Sequence, residues 1–337
     1  MKRFIISRTD SIGDVILTLP MAGFIKQQIP DAEVYFLGSR YTRPVVERCT
    51  YVDRFIENDM LKGMSLRKAA SFLKKTGADT MIHVFPDRRI SMLAAIAGIK
   101  TRVGTNRRWH HRLFLNRTLP LSRRKSDLHE AQLNLMLLKD IIPGFVLPEK
   151  EQLPDWYGFR RNKVLPENLA PYIDNRRKNI IVHPKSKGSA REWGLDNFSK
   201  LIQLLPYEKY NVIIAGTEPE ARLMEGFLKL FRARAHDVAG KLTLEEYTEL
   251  ISHADMMIAA STGPLHIAAM SGIHTIGLYA PMKPIYPQRW APIGVNAGFL
   301  VKEGECSKCR KNFHCECIRS IRPEDVCQKM EHIFYHS

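Results

Sequence analysis

The stretch Ile258-Ala259-Ala260-Ser261-Thr262-Gly263-Pro264-Leu265-His266-Ile267-Ala268-Ala269-Met270-Ser271-Gly272-Ile273-His274-Thr275-Ile276-Gly277-Leu278-Tyr279 decides the fold class of this chain. The run Met256-Met257-Ile258 that opens it is continuously apolar, as a strand buried on both faces is. Ser261-Thr262-Gly263 then turns the chain into a helix carrying Leu265, Ile267, Ala268, Ala269 and Met270. Pro264 fits the first helical turn, because the donor it lacks is one that a helix start leaves unpaired anyway. The remaining N–H groups there point outward with the positive end of the helix dipole, so phosphate is the expected guest. Gly272 stops the helix and Thr275 to Tyr279 forms the next strand. Strand, anion-ready turn, helix, strand is a nucleotide-site layout. The same four pieces also make an ordinary βαβ unit.

The alternation extends outward in both directions. Upstream, strands are predicted at Asn179–His183, Tyr210–Ala215 and His236–Val238, and helices at Leu195–Leu205, Glu218–Phe231 and Leu244–His253. The N-terminal half repeats the pattern, with strands at Arg3–Ser7, Glu33–Leu37, Arg54–Glu57, Thr80–Val84 and Thr101–Gly104. Helices fall between them, and a long one is predicted from His129 to Ile142. Between Pro148 and Arg177 the periodicity fails and prolines accumulate, as in a linker. Strands alternating with helices predict parallel, doubly wound sheets. The expectation is therefore an α/β protein of two Rossmann-like domains, residues 1–160 and 175–325, facing across a cleft with ligands at the strand carboxyl ends.

Composition sets limits on function. The 337 residues are 45% hydrophobic and 26% charged, ordinary for a soluble globular protein. No apolar run approaches the roughly 18 residues a spanning helix needs. The N-terminal Met-Lys-Arg-Phe-Ile-Ile-Ser-Arg lacks signal-peptide architecture, so a cytoplasmic location is expected. Net charge is +16, and eleven basic residues but no acid lie between Arg88 and Ser126. That patch favours a polyanion: nucleic acid, an anionic membrane surface or an acidic substrate. A solvated basic face is the bland alternative.

Ser11-Ile12-Gly13-Asp14 lies where the first strand gives way to a helix, and it is not a dinucleotide fingerprint. Asp14 there could act as a general base, or simply stabilise a helix start. His183-Pro184-Lys185-Ser186-Lys187-Gly188-Ser189-Ala190-Arg191-Glu192-Trp193 combines cations, hydroxyls and Gly after a strand, the properties that hold a diphosphate. Glu220, after Gly216-Thr217, could meet a ribose hydroxyl or serve only the helix start. His266 alone carries little information.

Together these pieces resemble the lipopolysaccharide heptosyltransferases, glycosyltransferase family 9. The resemblance rests on Ser11 to Pro20, Ala190-Arg191-Glu192-Trp193, Ala239-Gly240-Lys241-Leu242-Thr243-Leu244 and Ser261 to Ala269. It implies a GT-B architecture, with an N-terminal domain for the acceptor and a C-terminal domain for a nucleotide-sugar. A C-terminal helix, residues 326–337, is expected to pack back on the first domain. The implied reaction is inverting and metal-independent: a sugar, heptose from ADP-heptose, passes to the lipopolysaccharide inner core at the cytoplasmic face of the inner membrane. The alternative is a nucleotide-sugar or nucleic-acid binding protein of the same fold without turnover, or a member using another donor sugar. The resemblance assigns Asp14 as catalytic base. It puts Ser186, Lys187, Glu220, Thr262, Gly263 and His266 on the donor, with Arg191 and Ser261 beside them; the acceptor candidates are Ser11 and Gly13 at the first turn and Arg107, Arg108 and Arg112 from the basic patch. Ser261 stands where the family usually has Asp, which removes a carboxylate acceptor for a sugar hydroxyl. Arg191 stands where it usually has Lys, which replaces a point charge with a fork.

No cofactor is expected beyond the co-substrate, and no nucleic-acid partner. Cys306, Cys309, Cys315 and Cys317 have ligand-like density, so a structural zinc is the lesser alternative to reduced thiols.

Overall fold

The computed structural model describes residues 2–123, 126–283, 286–304 and 316–335. They form two compact units, Met1–Arg160 and Arg161–Ser337.

The first unit holds a parallel sheet of six strands: β1 (Arg3–Ser7), β2 (Glu33–Gly38), β3 (Arg54–Glu57), β4 (Thr80–His83), β5 (Thr101–Thr105) and β6 (Arg117–Leu119). Their order is β3-β2-β1-β4-β5-β6. The second unit holds β7 (Lys178–His183), β8 (Tyr210–Ile214), β9 (Ala235–Asp237), β10 (Met256–Ala260), β11 (His274–Tyr279) and β12 (Ala297–Val301), in the order β12-β11-β10-β7-β8-β9. Read from its own first strand, the second sheet has the order of the first. In each, the winding reverses beside the first strand, between β1 and β4 and between β7 and β10. Ligands of open α/β sheets bind at the carboxyl ends of the strands at such a reversal.

Apolar runs form the central strands because both faces are covered. Ile5, Ile6, Phe36, Met81 and Ile82 in one sheet, and Ile181, Val182, Met256, Met257 and Ile258 in the other, are fully buried. Local chemistry starts many of the helices. Asp87 accepts from the Ile90 N–H, and Thr243 and Glu246 form a reciprocal capping box. Gly23 lets the helix Pro20–Gln28 lie against Trp156, since a Cβ there would come within 2.7 Å of the Trp156 Cα.

Several elements differ from the sequence reading. The predicted first helix is two, Ile12–Ile16 and Pro20–Gln28, with Pro20 opening the second. The helix expected over His129–Ile142 is α-helical only for Glu130–Leu135, then tightens into a 3₁₀ turn. The expected linker is partly core: Leu153, Trp156 and Tyr157 are buried, and Trp156 meets Phe24 edge-on at 5.1 Å. The C-terminal helix belongs to the second core. Pro323–Tyr335 packs on Leu195–Leu204, with Val326 and Met330 fully buried in the second core. Those two side chains supply the reason, each contributing roughly 1.5–3 kcal/mol through burial there.

Candidate active site

At the reversal in the first sheet, Ser7 ends β1 opposite Leu37 on one side and His83 on the other. Arg8 follows and is 4% exposed. Its Nε donates to Asp10 Oδ1 at 2.6 Å and its Nη2 donates to Asp14 Oδ1. Its Nη1 lies 3.6 Å from Glu130 Oε1. The Asp14 carboxylate also accepts, through Oδ2, the hydroxyl of the exposed Ser11. Asp14 is thus half-buried in the turn between β1 and the helix Ile12–Ile16, whose backbone includes buried Gly13. Glu130 is itself buried and pairs with Arg123, which donates to Asn134 Oδ1 at 2.8 Å. Burial raises Asp10 above the usual carboxylate range; the Arg8 charge opposes this and the Asp14 charge adds to it.

Sequence reasoning singled out Ser11, Gly13 and Asp14 but missed Arg8, Asp10 and Glu130. Arg8 and Asp10 were detectable as charged residues at the carboxyl end of a buried strand. Glu130 gave no local signal, since only the fold brings it to Arg8.

The basic segment meets the same edge of this sheet. His111 Nδ1 lies 2.8 Å from the Thr105 carbonyl at the end of β5, and its ring is 5.9 Å from that of His83. Burial pushes the His83 imidazole down to about 3, with cationic neighbours adding, so that ring is neutral. Arg107, Arg108 and Arg112 are exposed around the helix Trp109–Phe114. Two are oriented by the backbone: Arg107 Nε donates to Leu121 O at 3.0 Å, and Arg112 Nε to Asn106 O at 2.9 Å. Trp109 and Leu113 are 59% and 66% exposed, and the Arg88 guanidinium lies 5.1 Å from the Trp109 ring centre.

In the second unit, the loops after β7 and β10 emerge at the corresponding reversal. Ser186 is buried, its N–H donating to Glu192 Oε1 at 3.0 Å and its hydroxyl 3.0 Å from the Ala190 carbonyl. Lys185 Nζ meets the other Glu192 oxygen at 2.6 Å. Exposed Lys187 is held at φ 53°, a left-handed conformation that side chains avoid, and Gly188 follows at φ 79°. Residues held in such regions cluster at ligand sites. Arg191 is half-buried on the same loop.

After β10, Thr262 stands in extended conformation at the start of the eight-residue helix Gly263–Met270 without a side-chain capping bond, with Ser261 half-buried beside it. The Thr262 hydroxyl is buried and has no hydrogen-bond partner among the described residues. A buried donor left this way costs about 1–3 kcal/mol, a cost that a ligand oxygen would remove. His266 is buried on the second turn of the helix.

Glu220 is placed differently from the rest. It is buried, and its Oε2 accepts from the Thr217 N–H at 2.7 Å and the Thr217 hydroxyl at 2.9 Å, a capping box. The same oxygen lies 3.7 Å from His183 Nε2, while His183 Nδ1 is 3.0 Å from the Tyr247 hydroxyl. Burial lowers His183 and raises Tyr247, so both are neutral around this carboxylate. Sequence reasoning quoted Glu192 within its motif without a role of its own and did not anticipate Tyr247.

Among the described residues, no group of three or more His, Cys, Asp or Glu could hold a metal ion. Cys306, Cys309 and Cys315 lie outside the described residues; Cys317 is half-buried against the second core.

Comparison with known proteins agrees with this architecture. The family model described as glycosyltransferase family 9 (heptosyltransferase) matches residues 66–317. The lipooligosaccharide heptosyltransferase 2 of Haemophilus influenzae is 28% identical over 347 residues, covering 96% of each chain. The lipopolysaccharide core heptosyltransferase OpsX of the same species is 24% identical, over 84% of this chain and 80% of its own. The solved structure of the E. coli ADP-heptose lps heptosyltransferase II superposes with TM-score 0.76 at 18% identity, over 99% of this chain and 98% of its own. The two parallel sheets are thus those of a GT-B fold. With most of its length matched by the family model, the chain belongs to glycosyltransferase family 9, the heptosyltransferases, and is a glycosyltransferase.

Proposed function

We propose that this enzyme transfers heptose from ADP-heptose to the lipopolysaccharide inner core, with inversion and without a metal ion. The first domain takes the acceptor and the second takes the donor. The acceptor oxygen bonds to the anomeric carbon as the bond from that carbon to the diphosphate oxygen breaks. The hydroxyl proton passes to Asp14, and the bonding electron pair leaves with ADP. Charge then grows on the diphosphate, where Lys187, Arg191 and the start of the helix Gly263–Met270 would stabilise it. Ser186, Ser261 and His266 complete the donor side. Glu220 would shape the nucleotide pocket from beneath, since one of its oxygens is already engaged by Thr217.

The observation that carries the reading is Thr262: a buried hydroxyl without a partner among the described residues, at the positive end of a helix, after the strand where the sheet reverses. The names of the relatives support heptose and ADP as the sugar and nucleotide. Arg107, Arg108 and Arg112, with Ser11 and Gly13, would receive an anionic acceptor. The exposed Trp109 and Leu113 among those arginines suit peripheral contact with the cytoplasmic face of the inner membrane. Ser261 favours a second reading of the sugar alone, because a hydroxyl in place of a carboxylate accepts fewer hydrogen bonds from sugar hydroxyls.

Calorimetry with ADP-, UDP- and GDP-sugars, paired with product formation by wild type and Asp14→Ala, tests the proposal. Binding of ADP-heptose by both proteins, with turnover only in wild type, is the expected result. Turnover by Asp14→Ala, or preference for another nucleotide, would overturn it.

A further inference from the structure

Resting on the assignment of Asp14 as the base, we infer that Arg8 is its positioning residue, and that Glu130 sets how much of the Arg8 charge Asp14 receives. Arg8 is nearly inaccessible and so reaches no bulk counter-ion; its guanidinium is divided among Asp10, Asp14 and Glu130.

The two Asp14 oxygens have different surroundings. Oδ1 is held from the buried side by Arg8, whereas among the described residues Oδ2 is held only by the hydroxyl of exposed Ser11. An acceptor hydroxyl can displace Ser11 but not Arg8. Oδ2 is therefore the oxygen that takes the proton, and Oδ1 the anchor that keeps it aimed.

The second half of the inference comes from charge. Among the described residues, Arg8 and Arg123 face Asp10, Asp14 and Glu130, two cations against three carboxylates. Tyr41 approaches from the segment after β2, its hydroxyl donating to the Asp10 carbonyl at 2.5 Å. From β4, His83 is neutral. Among the described residues, Glu130 is the carboxylate that reaches Arg8 from a distant element, and it also pairs with Arg123. A neighbouring cation favours the charged form of a carboxylate and a neighbouring anion disfavours it, so loss of the Arg8 charge and loss of the Glu130 charge should move the acidic limb of the rate in opposite directions.

The test is the pH dependence of kcat for wild type, Arg8→Gln, Arg8→Lys, Glu130→Gln and the Arg8→Gln/Glu130→Gln double variant. Heptosyl transfer is measured with saturating ADP-heptose, and melting temperatures are recorded in parallel. Arg8→Gln is expected to lower kcat by roughly tenfold or more, leave the KM for donor nearly unchanged, and move the acidic limb up by about one pH unit. Arg8→Lys should restore the limb and part of the rate, because it keeps the charge but loses the fork. Glu130→Gln should move the limb down, and its effect should shrink in the double variant, showing that it acts through Arg8.

Slower variants with an unmoved limb would make Arg8 a structural residue and overturn the inference. An undiminished Glu130→Gln effect in the double variant would overturn the part assigned to Glu130. If Arg8→Gln melts below the assay temperature, Arg8→Lys and Glu130→Gln decide: unmoved limb and unchanged kcat in both also overturn it. Turnover by Asp14→Ala would instead remove the base assignment, whatever the Arg8 variants do.

Discussion

The Asn134 side-chain amide donates to the Leu17 carbonyl at 2.9 Å and lies 3.1 Å from the Thr18 hydroxyl, joining two segments far apart in sequence. Thr18 in turn donates to the Asp14 carbonyl at 2.8 Å, and Asn134 receives Arg123. These contacts tie the Asp14 turn to the helix Glu130–Leu135. Asn134→Ala leaves the Leu17 carbonyl and Arg123 without this partner. The expected destabilisation is about 1–3 kcal/mol, measured by urea unfolding, with kcat falling further than the folded fraction accounts for.

Asp14→Asn keeps the shape of the carboxylate but cannot accept the proton. Product formation should fall by about 100-fold to 10,000-fold, with ADP-heptose affinity by calorimetry unchanged. Loss of donor affinity would mean that Asp14 acts on the donor and not on the acceptor.

Thr262→Val separates ligand binding from folding. The hydroxyl has no hydrogen-bond partner among the described residues, so the melting temperature without ligand should hold or rise. The affinity for ADP should fall by roughly tenfold to a hundredfold, the worth of one hydrogen bond to a charged group. A lower melting temperature with undiminished ADP affinity would contradict the phosphate cradle.

Charge reversal at Arg107 and Arg108 should weaken acceptor use and its sensitivity to salt, while donor binding stays constant. The measurement is acceptor KM at two ionic strengths beside donor calorimetry. Equal loss of both would count against an acceptor surface here.

His83 gives a stability signature. Its folded value is pushed from 6.5 down to about 3, so the unfolded chain binds the proton more readily. The His83 contribution is therefore fully present above pH 6.5 and is lost progressively as pH falls from there toward about 3. The slope is about 1.4 kcal/mol per pH unit. His83→Leu should remove that part of the slope; unfolding free energies of the two proteins between pH 7 and pH 5, compared by difference, would show it.

By itself, the sequence determined what depends on neighbours along the chain. The strands around Ile5 and Ile258, the helices that begin near Leu244 and Pro264, and the placement of Asp14 at a strand end all follow from periodicity and helix-start chemistry. Even the Thr217–Glu220 box is spaced as a local signal, although it first invited a ribose role. What tertiary structure alone decided is which distant groups meet. Strand order put Glu130 beside Arg8, core packing drew Val326 and Met330 into the second domain, and the contact with Gly23 turned part of a proline-rich linker into core. The physical reason is that helix and turn preferences act over a few residues. A buried charge, by contrast, takes whatever partner the folded sheet brings within hydrogen-bond reach, and that partner carries no local mark.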